Sequence, residues 1–203
     1  MKQADPNDDD LLASVQNGDE QALTSLYRQR QGSIYRFALQ MSGSHSLAED
    51  VTQEVFMLLI RGEVSYDPRR GSVSAFMFGI ARNHVLRRLR YQQALVSFED
   101  DSDNEQSPEL VTSDNPLEQL SRCEAIDSVR RAVLSLPPHY REVVVFCELQ
   151  EMSYGEAAQI LGCAVGTVRS RLHRARALLI QKLRPAVKEE AAEAATESAR
   201  CFA

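Results

Sequence analysis

A helix-turn-helix pattern in residues 152–176 constrains the fold more than any other feature of the chain. Ser153 can cap the first helix while Glu156, three residues later, reaches back to it in a capping box. Gly162 follows where the chain must turn, because glycine adopts a positive φ without steric cost. A second helix is predicted to begin at about Val165. These signals indicate an all-helical unit built around two short helices and a tight turn.

The second helix of this pattern has one apolar face and one basic face. The residues predicted to point inward, at helical spacing, are Val165, Val168, Leu172 and Ala175. Those predicted to point outward are Arg169, Ser170, His173, Arg174 and Arg176. No acidic residue occurs between residues 157 and 188, so we interpret this as a recognition helix that enters the major groove of DNA. The alternative is an ordinary surface helix with a solvated basic face.

Charge is distributed unevenly along the chain, which has 203 residues and a formal net charge of −6. Residues 61–98 contain seven arginines and two acidic residues, and residues 157–188 contain seven basic residues and no acidic ones. Residues 99–127, between them, contain ten acidic residues and one arginine. Of the 23 cationic residues, 20 are arginine, which suits bidentate contacts with phosphate and guanine. This pattern predicts two separate contacts with nucleic acid.

The predicted fold class is all-α, with two small helical domains joined by a flexible acidic linker. Residues 1–92 are predicted to form the first domain, and residues 116–185 the second, a four-helix unit that contains the helix-turn-helix. The linker, residues 93–115, is rich in acidic, serine and amide residues and has too little apolar content to form a core. In the tail, residues 186–203, the Glu and Ala residues could extend a helix or fray.

The sequence predicts no catalytic, metal or cofactor site. The four histidines have no metal-ligand spacing with the four cysteines, and no phosphate-binding loop or nucleophile elbow occurs. Cys123, Cys147 and Cys163 are expected to be buried thiols, and Cys201 lies in the tail. The amino-terminal segment has no apolar signal core and no stretch near the length of a membrane span. We therefore expect a non-catalytic, cytoplasmic protein without membrane insertion.

Three blocks of sequence, in this order and spacing, carry a resemblance to a known family. They are Gly18-Asp19-x-x-Ala22-x-x-x-Leu26-Tyr27, then Ala48-Glu49-Asp50-Val51-Thr52-Gln53-Glu54-Val55-Phe56, and finally Leu136-Pro137-Pro138-x-x-Arg141-Glu142-Val143 running into Gly166-Thr167-Val168-Arg169-Ser170-Arg171. Over about residues 10–184 the chain resembles the bacterial RNA polymerase sigma factors of the extracytoplasmic-function type. The resemblance implies a subunit that directs transcription initiation at a specific regulon. Its partners would be core RNA polymerase, through the β′ coiled coil and the β flap, promoter DNA, and an anti-sigma factor.

The resemblance also implies which residues of the first domain, sigma region 2, bind these partners. The expected contacts with the β′ coiled coil are Asp50, Gln53, Glu54 and Phe56. Acidic and amide groups on one helical turn would suit an arginine-bearing partner, although a solvated acidic face is the alternative. The expected contacts with the minus-ten element are Phe76, Arg82, Asn83, Arg87, Arg88 and Arg90.

The minus-ten segment, residues 72–90, combines aromatic rings with cations, as capture of single-stranded DNA requires. Asn83 matches the position beside which the family holds a flipped-out base. The chain departs from the family at Phe76, where Trp is usual, and at Arg87, where a small acidic or amide residue is frequent. Phe76 and Phe78 could instead belong to the core, so we expect at most one of them to stack on a base.

In the second domain, sigma region 4, the resemblance implies contacts with the minus-thirty-five element. The residues concerned are Thr167, Arg169, Ser170, Arg171, His173, Arg174 and Arg176. Arg171 and Arg176 would hold phosphates, and His173 stands at a position that is often aromatic in the family. Each domain alone offers a small DNA footprint, so the free protein is expected to bind promoters poorly. A stand-alone transcriptional activator is the alternative function, but it would need a sensor or dimerisation domain in place of the region 2 blocks.

Overall fold

A computed structural model describes the backbone of residues 8–96 and 116–200 and the side chains of residues 8–91 and 124–183. Within these ranges every regular element is helical. This confirms the predicted all-α fold class. Residues 93–96 of the predicted linker continue a helix of the first unit, and the remainder of the linker, residues 97–115, lies outside the described ranges.

The first unit contains four α-helices and one 3₁₀ turn. They are α1 (Asp8–Gln16), α2 (Glu20–Ser42), α3 (His45–Arg61), the 3₁₀ turn (Pro68–Arg70) and α4 (Val73–Val96). Local capping groups fix where these helices begin: the Asp19 carboxylate accepts hydrogen bonds from the backbone N–H groups of Gln21 and Ala22, at 2.8 and 3.1 Å, at the start of α2. Buried side chains such as Leu26, Phe37 and Val85 form the core between the helices.

The second unit contains the helix-turn-helix. Its elements are α5 (Pro116–Leu134), α6 (Pro138–Val144), a π-helical turn (Val145–Leu149), α7 (Tyr154–Leu161) and α8 (Val165–Arg200). The predicted capping box is present, since the Ser153 hydroxyl accepts the N–H of Glu156 at 3.2 Å and the Glu156 carboxylate accepts the N–H of Ser153 at 3.0 Å. Gly162 turns the chain with a φ of 64°. The helix that begins at Val165 continues through most of the tail.

The two units pack against each other around three phenylalanine rings. Phe37 of α2 stacks on Phe146 of the π-helical turn, with ring centroids 4.8 Å apart and an interplanar angle of 18°. Phe78 of α4 meets both rings edge-on, at 5.5 Å from Phe37 and 6.0 Å from Phe146. The buried side chains of the described residues therefore form one continuous apolar core. The composition of a linker indicates how far two units can separate, but not which of their surfaces pack together. The contact between the units was therefore not predicted from the sequence.

The capping box leads to a prediction about stability. Substitution of Ser153→Ala removes the group that accepts the N–H of Glu156 at 3.2 Å. We expect the free energy of unfolding to fall by about 1 kcal/mol. Urea denaturation followed by circular dichroism would measure the loss, with Ser46→Ala, an exposed serine in the first turn of α3, as the matched control. Equal stability of the two variants would contradict the prediction.

Candidate nucleic-acid and protein interfaces

The recognition helix α8 packs on α7 through small and branched side chains. Val168, Leu172 and Ala175 of α8 are buried, as are Ala157 and Ala158 of α7. The small alanines let the two helix backbones approach closely. This contact holds the opposite face of α8 toward solvent.

Val165 differs from the expectation, since its side chain is 38% exposed rather than buried. It is the first residue of α8 and so precedes the turn of helix that packs on α7.

The residues predicted to read the minus-thirty-five element lie together on the outer part of α8. Arg169, Ser170, His173, Arg174 and Arg176 are exposed, whereas Thr167 and Arg171 are half-buried. The Ser170 hydroxyl donates a hydrogen bond to the Thr167 carbonyl at 3.0 Å. The exposed members form a continuous basic surface on one rigid helix.

Tyr154, which sequence reasoning did not single out as functional, contacts this basic surface. The guanidinium carbon of Arg169 lies 5.7 Å from the centroid of the Tyr154 ring, a cation–π distance. Tyr154 is the first residue of α7, so the helix-turn-helix itself brings the ring to Arg169. The contact restricts the directions in which the guanidinium can point. An aromatic residue directly after the cap of α7 was the available sequence signal.

Arg176 forms an ion pair with Glu148 of the π-helical turn, at 2.5 Å. The hydrogen bond that Arg176 donates to Glu148, together with the charge of that carboxylate, raises the pKa of Arg176. Both side chains are about half exposed, so water screens the attraction. A DNA phosphate could therefore replace Glu148 at modest cost. Sequence reasoning did not identify Glu148, because it lies 28 residues before Arg176.

The basic face of α4 is only partly open. Asn83, Arg87, Arg88 and Arg90 are exposed, as a DNA contact requires. Arg82 differs from the expectation, since its side chain is only 21% exposed and is paired with Glu142 of α6. Arg82 donates from Nε to Oε1 at 2.6 Å and from Nη2 to Oε2 at 3.3 Å. In this structure the Arg82 guanidinium is therefore bound to the second unit through its ion pair with Glu142.

The two candidate stacking residues on α4 are in different environments. Phe78 is 4% exposed and belongs to the aromatic core. Phe76 is half-buried, with its ring centroid 5.3 Å from that of Tyr66. The Tyr66 hydroxyl donates to Asp9 at 2.5 Å and lies 3.0 Å from the Gly71 carbonyl. Burial, followed by the hydrogen bond with Asp9, raises the pKa of Tyr66 to about 12. Of the two residues, only Phe76 is partly exposed.

The acidic face of α3 lies beside the basic face of α4. Asp50 and Gln53 are exposed and Glu54 is half-buried. These residues line a cleft of about 420 Å³ together with His84, Arg87 and Arg88, among others. The pKa of His84 lies below its ordinary value of 6.5, chiefly because the ring is partly buried and then because Arg87 opposes its protonation. These surroundings therefore favour the neutral form of the His84 ring.

An apolar groove between α2 and α3 borders the same acidic face. It has a volume of about 920 Å³, and its walls include Leu23, Tyr27, Gln53, Phe56 and Ile60. Tyr27 and Ile60 are 42% and 50% exposed. Phe56 departs from the predicted surface role, since it is 4% exposed and its ring packs 4.7 Å from that of Tyr27. The helical period places Phe56 on the inner face of α3, one residue after buried Val55.

Other site types were sought among the residues that the structure describes. No group of three or more His, Cys, Asp or Glu residues there is arranged to hold a metal ion. Cys147 and Cys163 are free and half-buried rather than fully buried, and burial raises the pKa of the Cys147 thiol. None of the described helices is both long enough and apolar enough to cross a bilayer.

Comparison with known proteins assigns a family to each unit. The Sigma-70 region 2 family matches residues 26–95, and the Sigma-70, region 4 family matches residues 126–179. The chain is 33% identical to the ECF RNA polymerase sigma factor SigE of Mycolicibacterium smegmatis, over 94% of this chain and 73% of that protein. It is 32% identical to the ECF RNA polymerase sigma factor SigM of Mycobacterium tuberculosis, over 87% and 85% of the two chains.

A solved structure with the same fold is that of the sigma factor RpoE in complex with the anti-sigma factor NepR, from Bartonella quintana. Its TM-score is 0.63 at 26% identity, with 78% of this chain and 94% of that chain covered. The fold, with a helix-turn-helix in the second of two helical units, is thus that of a two-part transcription factor. The chain belongs to the extracytoplasmic-function RNA polymerase sigma factors of the sigma-70 family.

The contact between His84 and Arg87 leads to a prediction. Arg87 Nη2 lies 3.2 Å from His84 Nδ1. Substitution of Arg87→Ala should raise the pKa of His84 part of the way to 6.5, because burial, the larger cause, remains. A histidine titration followed by NMR would measure this, with Arg90→Ala on the same helix as the control.

The lowered pKa of His84 also makes the stability of the folded protein depend on pH. Because the unfolded ring binds a proton more readily than the folded one, the contribution of His84 to stability is present above pH 6.5. It is lost as the pH falls through the folded pKa. Arg87→Ala should therefore weaken this acid destabilisation, and an unchanged His84 pKa in that variant would contradict the assignment.

Proposed function

We propose that this chain binds core RNA polymerase as a non-catalytic subunit in the cytoplasm and directs it to the promoters of a specific regulon. One observation carries the proposal: a chain of this family presents an exposed basic recognition helix in one unit and, in the other, an acidic helix face beside a basic one. The first surface suits duplex DNA, and the other two suit a protein partner and a DNA strand. An anti-sigma factor is the proposed inhibitor, as NepR accompanies RpoE in the similar structure.

The proposed polymerase-binding surface combines the acidic face of α3 with the adjacent groove. Asp50 and Gln53 are exposed, and Tyr27 and Ile60 offer apolar area beside them. An apolar contact edged by charge resembles other protein interfaces, in which burial supplies affinity and complementary charge supplies orientation. The β′ coiled coil is the proposed partner here, and the β flap is proposed to bind the second unit.

The proposed reading of the minus-thirty-five element rests on Arg169, Ser170, His173 and Arg174. Arg169 is suited to a bidentate contact with guanine O6 and N7, and Tyr154 restricts its orientation. Thr167 and the more peripheral Arg171 and Arg176 are proposed to contact phosphates, a role that positions the helix without reading sequence.

The proposed reading of the minus-ten element uses the exposed polar face of α4. Asn83 would contact a flipped base, Phe76 would offer a ring edge, and Arg87, Arg88 and Arg90 would follow the strand backbone. Arg82 can join them only after its ion pair with Glu142 separates. Each module binds DNA weakly, so the polymerase must supply the effective concentration that joins them.

The first test is a titration of labelled protein with core RNA polymerase, beside the Asp50→Arg/Glu54→Arg variant. We expect nanomolar binding by the native chain and a loss of about 100-fold or more in the variant, because two attractive charges become repulsive. The control is Asp10→Arg/Glu124→Arg, which makes the same charge change at exposed positions elsewhere. Failure of the folded native chain to bind polymerase would overturn the proposal and favour a stand-alone activator.

A second prediction concerns Tyr154. On a promoter selected from random sequence by the holoenzyme, Arg169→Ala should weaken binding by about tenfold, the value of one good base contact. Tyr154→Ala should weaken it about threefold, because the guanidinium loses its cation–π contact. Tyr154→Phe retains the ring face and should bind as the native chain does. If Phe and Ala weaken binding equally, the hydroxyl rather than the ring is responsible, and the proposed role of the ring is wrong.

A further inference from the structure

The last turns of α4 extend beyond the core of the first unit and expose an aromatic ring. Val85 is fully buried, but Leu86 and Leu89 are only partly buried, and Tyr91 is 60% exposed. That is the largest exposed fraction among the large hydrophobic side chains that the structure describes. Single apolar side chains are common on protein surfaces, so the significance of Tyr91 depends on what surrounds it.

Helical spacing places Tyr91 within the basic face of α4. Residues three or four positions apart are neighbours on the surface of an α-helix, and Arg88 and Arg87 precede Tyr91 by three and four positions. Both arginines are exposed, as are Asn83 and Arg90. The ring therefore lies between two cations, on the face of α4 that is proposed to contact the minus-ten element.

A second ring, that of Phe76, stands toward the other end of the same face. Phe76 precedes Asn83 by seven positions and Tyr91 follows it by eight, and both spacings are close to two full helical turns. The rise from Phe76 to Tyr91 is about 22 Å, at about 1.5 Å per residue. A stacked strand of DNA rises about 3.4 Å per nucleotide, so this distance corresponds to about six nucleotides. A strand of that length beside the arginines would have a ring at each end.

The charges around Tyr91 favour an unpaired DNA strand over a protein as its partner. Helix α4 contains no acidic residue, so nothing on it neutralises the arginines beside the ring. A protein that covered Tyr91 would also have to bury Arg87 and Arg88 or supply carboxylates for both, because unpaired buried charges are costly. An unpaired DNA strand meets both needs, since its phosphates attract the guanidinium groups and its bases have flat faces that stack on aromatic rings.

We propose that Tyr91 is a base-stacking residue, which holds one unpaired base at the end of the minus-ten surface opposite to Phe76. The role rests on the proposed function for the identity of the DNA strand, although stacking itself depends only on the ring and its neighbours. Arg87 and Arg88 contact the phosphates beside the stacked base. Because every base has a flat face, the ring adds affinity at this position without selecting a sequence.

The first measurement is the affinity of the holoenzyme for a forked promoter with one strand unpaired across the minus-ten element, each strand being tested in turn. Tyr91→Ala should weaken binding to one of the two forks about tenfold, which is typical for loss of one stacked base, and Tyr91→Phe should bind as the native chain does. The control is Ile180→Ala, which removes a side chain that is 56% exposed on α8 and should change nothing. Equal weakening by Tyr91→Ala and Tyr91→Phe would overturn stacking, and so would weaker binding of Tyr91→Ala to core polymerase alone.

A series of abasic nucleotides locates the stacked base. Each base of the unpaired segment is removed in turn, and the forks are bound by native and Tyr91→Ala holoenzyme. Stacking predicts one position, at an end of the segment, where loss of the base and loss of the ring together weaken binding no more than either change alone. Additive losses at every position would contradict the proposal.

Binding of the free chain to a fluorescent single-stranded oligonucleotide separates this proposal from the proposed function. At low salt, where attraction between arginine and phosphate is strongest, we expect weak but measurable binding, reduced about tenfold by Tyr91→Ala and unchanged by Tyr91→Phe. If the native chain fails to bind polymerase, the proposed function fails, while the oligonucleotide still decides whether the ring stacks. Native affinity in folded Tyr91→Ala would overturn the role of Tyr91, as would a native chain that binds no single-stranded DNA at low salt.

Discussion

The stacked contact between Phe37 and Phe146 is the interaction on which the arrangement of the molecule depends. Each ring is fully buried, and each belongs to a different helical unit. Burial of aromatic surface is favourable in proportion to the area removed from water, whereas the polar groups around it are stabilising only when paired. The phenylalanine contact therefore supplies affinity between the units, and the surrounding hydrogen bonds specify the orientation in which they meet.

Much of the fold within each unit could be predicted from the sequence, because its signals are local. The capping box at Ser153 and the glycine turn at Gly162 span only a few residues, and both are present as predicted. The contact between units could not be predicted in this way. Arg82 and Glu142 lie 60 residues apart, and no periodicity or capping rule connects them. Their pairing depends on the packed shape of both units.

The same distinction applies to the candidate sites. Helical spacing predicted the outward face around Arg169 and Arg174, because the period of α8 and its contact with α7 decide it. The surface role expected for Phe56 came instead from the family block, and membership of a block does not specify the exposure of each residue. The ring of Phe56 is buried against that of Tyr27. Helical spacing also did not identify Glu148, which contacts Arg176 only because the fold brings the two residues together.

Two arginines of the proposed DNA-binding surfaces have carboxylate partners, and the two pairs differ in how far water screens them. The pair of Arg176 with Glu148 is exposed and screened, so exchange of the carboxylate for a phosphate costs little. In the other pair Glu142 is buried, and withdrawal of Arg82 leaves an unpaired charge in a poorly solvated place unless the units also separate. A DNA phosphate would give Arg82 a replacement partner but would leave Glu142 without one. Release of Arg82 is therefore favourable only when water or another cation also reaches Glu142.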